Sequence, residues 1–251
     1  MASGKILLIF DFDETITDQD SLYEQARMTL SEEDYRKIME IDEFDYYDAF
    51  NYFFKKEKEA GLNLKDINSN LEKLSLSPKI KELFDYIRKN KSKYDLIALS
   101  GDIDYSIKYV LNYHKILDLF SCIICNKAEI QEENAERIMY VPRDQFPHNC
   151  ELCVESQCKG LELEKFLKNK NYEKILFVCD GGNDFCPAKK LMKKGDIVFP
   201  REGKRFLKRI KLENLENDLK CEIFPWKTGE DIIHKLQEIL IYFINNILID
   251  K

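Results

Sequence analysis

Asp11, Asp13 and Thr15 stand at alternate positions directly after the apolar run Ile6 to Phe10. In an extended chain residues i and i+2 share a face, so the two carboxylates come out side by side, with a hydroxyl beyond them. Two acids that close repel, and a divalent cation is the simplest group that keeps both ionised. Such a pair suits one acid as nucleophile and its neighbour as proton donor and acceptor. Alone, the pattern is equally what a polar turn after a strand shows.

Other apolar runs end the same way. Tyr94 to Leu99 leads into Ser100-Gly101-Asp102, and Lys174 to Cys179 leads into Asp180-Gly181-Gly182-Asn183-Asp184. Asp11 with Asp180 is the sparse oxygen ligation that Mg²⁺ accepts, waters and a substrate oxygen completing its shell. Lys159, just before a helix opening at Gly160, supplies a fixed cation opposite the metal. A metal, a lysine and a serine around a nucleophilic carboxylate make a phosphoryl-transfer site, because charge spread over equatorial oxygens needs positioning and cations.

The elements that must position these groups follow from periodicity. Apolar runs at 6–10, 94–99, 122–125, 174–179 and 196–199 alternate with helical patterns. That order predicts an α/β fold, a parallel sheet with right-handed crossovers and ligands outside the carboxyl ends of its strands. Residues 18–61 are helical in spacing, with Ser31 as an N-cap before Glu32, Glu33 and Asp34. Phe44, Tyr47, Phe50 and Phe54 form an aromatic stripe expected to be mostly core, with one or two rings available as a pocket wall. Pro78 is placed in the first turn of the next helix, and another helix spans roughly Tyr105–Asp118. A β-hairpin or long loop is expected between 129 and 159, a solvated basic helix face over Lys204–Lys211, and an amphipathic helix over Ile232–Ile249.

Taken together, Asp11-Phe12-Asp13-Glu14-Thr15, Ser100, Lys159 and the run Asp180 to Asp184 resemble, in order and spacing, the four motifs of the haloacid dehalogenase superfamily of phosphatases. His148-Asn149-Cys150-Glu151-Leu152-Cys153 followed by Cys158-Lys159-Gly160, the run Gly182 to Pro187 and the run Phe224 to Thr228 narrow the resemblance. They point to the phosphoethanolamine/phosphocholine phosphatase group, which includes pyridoxal phosphate phosphatases. The resemblance implies a Rossmann-like core, residues 1–17 and 76–251, with a small helical cap over 18–75. It implies Asp11 as the nucleophile that becomes an aspartyl-phosphate and Asp13 as general acid, then base. Ser100, beside Gly101, and Lys159 would hold phosphoryl oxygens with Asn183 close by. Mg²⁺ would be bound by the Asp11 carboxylate, the Asp13 backbone carbonyl and Asp180, with Asp184 orienting that set. Members of the group commonly carry acids at the positions of Gly101 and Leu22, natural partners for a cationic head group; Asp20, Asp102 or Asp104 are the available substitutes. Cys179 stands where glycine is usual.

The expected partner is a small phosphorylated metabolite, and the rival readings are a phosphoserine or sugar-phosphate phosphatase, or a binding protein of the same fold without turnover. With 251 residues, 16 Phe and 13 Tyr, the chain can fill a sizeable core. A net charge of −7 and a pI near 5.3 argue against a nucleic-acid partner. No apolar run reaches a membrane span or a signal peptide, and eight cysteines near strands fit a reduced, cytoplasmic protein. Cys122 and Cys125, three apart on a strand, face opposite sides and do not chelate together. His148, Cys150, Cys153 and Cys158 share an irregular segment and are the better candidate for a structural metal, the alternative being small core residues. A zinc-clipped interaction module centred there would survive loss of Asp11.

Overall fold

The computed structural model describes residues 4–40, 46–133, 136–142, 148–153 and 157–249. Phe44, one member of the expected aromatic stripe, lies outside them. Six parallel strands form the central sheet in the order β3-β2-β1-β6-β7-β8: β1 (Ile6–Phe10), β2 (Tyr94–Ile103), β3 (Phe120–Asn126), β6 (Lys174–Cys179), β7 (Ile197–Pro200) and β8 (Glu222–Ile223). The central position of β1 explains its unbroken apolar sequence. Ile6, Leu8 and Phe10 enter one hydrophobic core and Leu7 and Ile9 the other, on the opposite face, all at most 2% exposed. Each such side chain contributes roughly 1.5–3 kcal/mol on burial.

Helices cover both faces. α5 (Ile80–Lys89) and α10 (Gly229–Ile249) pack together on the first core, α5 through Leu83, Phe84 and Ile87, α10 through Ile232, Leu236 and Ile239. On the other side lie α7 (Lys159–Leu167), α8 (Phe185–Leu191) and α9 (Arg205–Leu212), anchored by Leu163, Phe185, Phe206 and Ile210. α6 (Asp104–Tyr113) follows β2 directly. Among the described residues no helix is long and apolar enough to cross a membrane.

Between β1 and α5 lie α1 (Ser21–Ala26), α2 (Glu32–Met39), α3 (Tyr46–Glu59) and α4 (Leu64–Leu71). Ser31 caps α2, its Oγ accepting from the Asp34 N–H at 3.1 Å. Tyr47, Phe50, Phe53 and Phe54 of α3 are buried. The two ends of this segment are drawn together: Thr17 and Leu76 form an antiparallel bridge, and the Asp18 N–H donates to the Ser75 carbonyl at 2.8 Å.

Several elements depart from the sequence reading for local reasons. Pro78 precedes α5, which begins only at Ile80, because Lys79 adopts a left-handed φ of 61°. The helix after β2 stops at Tyr113, and Lys115 turns the chain at φ 59°. The hairpin is real, β4 (Glu129–Glu133) against β5 (Glu136–Tyr140). β8 is two residues long and gives no apolar run to detect. Cys122 packs against one core and Cys125 within the other, as alternation requires.

Candidate active site

The carboxyl edge of the sheet opens into a cavity of about 310 Å³ lined by residues from β1, β2, β6 and their following turns. After Phe10 the chain leaves the strand through a tight loop. Asp13 keeps an extended conformation, Glu14 turns at φ 52°, and the Thr17 N–H closes the loop on the Phe12 carbonyl at 3.0 Å. This loop, rather than a longer strand, brings Asp11 and Asp13 to the same cavity. Thr15 is buried beside it and does not line the cavity.

Asp11 Oδ1 accepts from the Phe12 N–H at 2.7 Å and from Lys159 Nζ at 2.9 Å. The same ammonium donates to Asp184 Oδ1 at 2.6 Å, while Asp184 Oδ2 accepts from the Gly181 N–H at 2.8 Å. Lys159 is 1% exposed. Burial alone would depress its ammonium; the flanking Asp11 and Asp184 more than reverse that and hold it charged. Gly181 has no spare room: a Cβ there would meet Asn183 Oδ1 at 2.6 Å and Asp184 Oδ2 at 3.2 Å. Glycine therefore lets both side chains fold back under the turn.

One lysine does not balance the acids around it. Asp11, Asp180 and Asp184 bring carboxylate oxygens within 4.8 Å of one another. Asp180 Oδ2 is buried with no hydrogen-bond partner, and burial, with the neighbouring Asp11 and Asp184 charges, pushes its carboxyl up to about 9. A buried, unpartnered oxygen beside two further carboxylates fits a hard divalent cation with sparse protein ligation. The donor set matches Mg²⁺. Asp13 is also pushed well above the usual carboxylate range by burial and by the Asp102 and Asp20 charges, against the Ser21 N–H that donates to its Oδ1 at 2.7 Å. A carboxyl whose pKa is raised holds its proton more readily than a free one and is suited to proton transfer.

Ser100, Gly101, Lys159 and Asn183 all line the cavity. Next to Gly101, Asp102 lines it too, its carboxyl pushed up to about 7, chiefly by burial, while Ser21 Oγ donates to it at 2.9 Å. Asp104 instead accepts from the Ala128 N–H and is not in the cavity wall. Asp20, Leu22 and Phe50 reach in from the helices that follow β1.

Other groups escaped the sequence reading. Arg205 and Arg209 line the cavity from α9; Arg209 donates to the Gly182 carbonyl at 2.7 Å and Lys204 pairs with Glu14 at 2.5 Å. The basic run is thus solvated at Arg205, Lys208 and Lys211, while Lys204 and Arg209 are half-buried. Gln157 is 3% exposed, lines the cavity, and neither amide atom has a partner. Leu152 lies in the same wall. Of the cysteine candidates, Cys150, Cys153 and Cys158 come together, and Cys186 joins them; His148 instead accepts from the Cys150 N–H through Nδ1 at 3.2 Å.

The chain is similar in sequence and in fold to known phosphatases. A family model described as Putative Phosphatase matches residues 6–240. Pyridoxal phosphate phosphatase PHOSPHO2 of Homo sapiens is 30% identical over 93% of this chain and 98% of its own. The Homo sapiens phosphoethanolamine/phosphocholine phosphatase is 28% identical over 94% and 90%, respectively. A thiamine phosphate phosphatase-like protein of Arabidopsis thaliana is 28% identical over 97% of both. A solved substrate-bound phosphoserine phosphatase shares the fold, with a TM-score of 0.59 at 17% identity over 95% of this chain and 98% of that one.

Proposed function

We propose that this chain, which belongs to that phosphatase family within the haloacid dehalogenase superfamily and is a phosphoric monoester hydrolase, uses Mg²⁺ and a phosphoryl group carried on Asp11 to hydrolyse a small phosphorylated metabolite. The observation that carries this reading is the crowding of Asp11, Asp180 and Asp184, with Lys159 paired to Asp11 and Asp184, Asp180 Oδ2 left bare and Asp13 opening on the same cavity.

Ser100, Lys159 and Asn183, with the backbone at Gly101, hold the phosphoryl oxygens. An Asp11 oxygen attacks phosphorus as the bond to the leaving oxygen breaks, and Asp13 gives that oxygen its proton. Asp13, now ionised, takes a proton from water, whose oxygen attacks phosphorus and releases Asp11. Asp11, Asp180 and the Asp13 carbonyl are the groups that would hold Mg²⁺, and Asp184, tied to Lys159 and the Gly181 N–H, keeps that set oriented. When bound, Mg²⁺ supplies positive charge against which the phosphoryl oxygens are stabilised. Residues 18–75 act as a cap over a core of 1–17 and 76–251; the bridge at Thr17 and Leu76 supports that boundary.

The substrate is of the pyridoxal phosphate or phosphoethanolamine/phosphocholine type, the activities carried in the names of relatives at 28–30% identity. The apolar part of the cavity lining favours the first. Leu22 and Phe50 offer apolar surface to a ring, and the unpartnered amide of Gln157 can pair with its polar substituents. Burial pushes the Asp102 carboxyl up to about 7, which disfavours the charge that a quaternary amine would need opposite it.

Phosphate release from a panel of pyridoxal phosphate, phosphoethanolamine, phosphocholine, phosphoserine, sugar phosphates and an aryl phosphate tests this. Release is expected with Mg²⁺, is expected to fall by about 100-fold or more in EDTA and to return on Mg²⁺ addition, with pyridoxal phosphate ahead of phosphocholine. Release unaffected by EDTA would exclude the metal, and a preference for phosphocholine would overturn the substrate assignment.

A further inference from the structure

Four of the eight cysteines are ordinary core residues. Cys125, Cys179 and Cys221 are buried in apolar clusters and Cys122 packs at the margin of one. The other four, Cys150, Cys153, Cys158 and Cys186, behave differently. Their sulfurs all lie within 4.8 Å of one another although they come from three separate segments: a loop, the N-cap of α7 and the first turn of α8. We propose that these four thiols form a structural Zn²⁺ site that clips residues 148–153 to α7 and α8 beside the catalytic cavity.

The distances fit the metal. A tetrahedral ion with Zn–S bonds of about 2.3 Å separates its sulfurs by about 3.8 Å. Cys150 Sγ and Cys158 Sγ are each 3.7 Å from Cys186 Sγ. A disulfide requires about 2.05 Å, and all four are free. Apolar packing also fails as an explanation, since Cys150 and Cys153 are partly exposed.

The surroundings are those of a thiolate site. Coordination costs each thiol its proton, released to solvent, and a four-thiolate zinc centre carries net negative charge. Lys190 Nζ stands 3.0 Å from Cys150 Sγ, and the Leu161 N–H donates to Cys158 Sγ at 3.3 Å. The cluster also dictates its neighbour: a Cβ on Gly160 would fall 2.6 Å from Cys186 Sγ. Tetrahedral sulfur ligation selects zinc or iron, and zinc, which has no redox chemistry, suits a site whose task is to hold loops.

The clip has a purpose. Cys158 immediately precedes Lys159, and Cys186 is two residues beyond Asp184, so the metal would fix both ends of the 2.6 Å Lys159–Asp184 pair. Leu152, in the clipped segment, and Gln157, next to Cys158, line the cavity. This inference does not rest on the catalytic reading.

The test is metal analysis of reduced protein, expressed with zinc and dialysed against metal-free buffer. About one equivalent of zinc is expected per chain, unchanged in Asp11→Asn and in Cys122→Ser, and lost in Cys153→Ser. Replacement by Co²⁺ is expected to give the intense visible bands of tetrahedral thiolate coordination. Less than a tenth of an equivalent of zinc in folded, reduced wild-type protein would overturn the proposal. So would a coloured iron centre in its place, or zinc retained undiminished by Cys153→Ser.

Discussion

Asp11→Asn lowers turnover by about 10⁴-fold or more, at least roughly 5 kcal/mol of transition-state stabilisation, and leaves the fold intact. The amide is no nucleophile, so the first bond to phosphorus has no donor. Structure survives because the contacts of Asp11 tolerate the change. The Asn carbonyl can still accept from the Phe12 N–H, and Lys159 keeps its bond to Asp184 at 2.6 Å. One of three crowded carboxylates is also removed, so thermal stability without metal should hold or rise. Initial rates and a melting curve check both halves. A variant with near wild-type turnover would place the nucleophile elsewhere.

Asp180→Asn separates activity from stability more sharply. Its Oδ2 is buried and unpartnered, next to Asp11 and Asp184. In metal-free protein a charge there is unfavourable, which is why the carboxyl is pushed up to about 9. The amide relieves that crowding, and the metal-free variant should melt above metal-free wild type. Its activity should nevertheless fall by about 10³-fold, because the charge stabilisation of several kcal/mol that a catalytic cation provides is lost. Saturating Mg²⁺ should stabilise wild type by about 2.7 kcal/mol at 100 times Kd and so raise its melting temperature, and should leave the variant unmoved. An equal Mg²⁺ shift in both proteins would show that Asp180 does not hold the cation.

What the sequence made legible was carried by short-range signals. β1 and β6 are continuous apolar runs because both faces of the sheet are covered, and the acids follow them directly in the chain. Asp11, Asp13, Ser100, Lys159, Asp180 and Asn183 therefore reach one cavity as their spacing suggests. What stayed hidden depends on packing between distant segments. Gln157 lies in a loop without periodicity, and only its burial with two unpartnered amide atoms marks it. Arg205 and Arg209 sit in a run whose charge reads as solvated surface; the buried Phe206 and Ile210 turn one flank toward the cavity. Cys186 looks like any small residue of an amphipathic helix until folding sets it against Cys150 and Cys158. A signal did exist: Cys150, Cys153 and Cys158, close in sequence, leave a tetrahedral metal one ligand short, and the fourth sulfur beside them is that of Cys186.

The proposed covalent role of Asp11 can be tested directly with Asp13→Asn and an aryl phosphate in the presence of Mg²⁺. An aryl leaving group departs without a proton, so the first step proceeds, whereas hydrolysis of the phosphoryl group on Asp11 lacks its base. Acid quenching and peptide mass analysis should then find close to one phosphoryl group per chain on the peptide that contains Asp11, removable by hydroxylamine as an acyl phosphate is. Continued phosphate release from that variant with no phosphorylated peptide, or a phosphoryl group on any other residue, would contradict the mechanism.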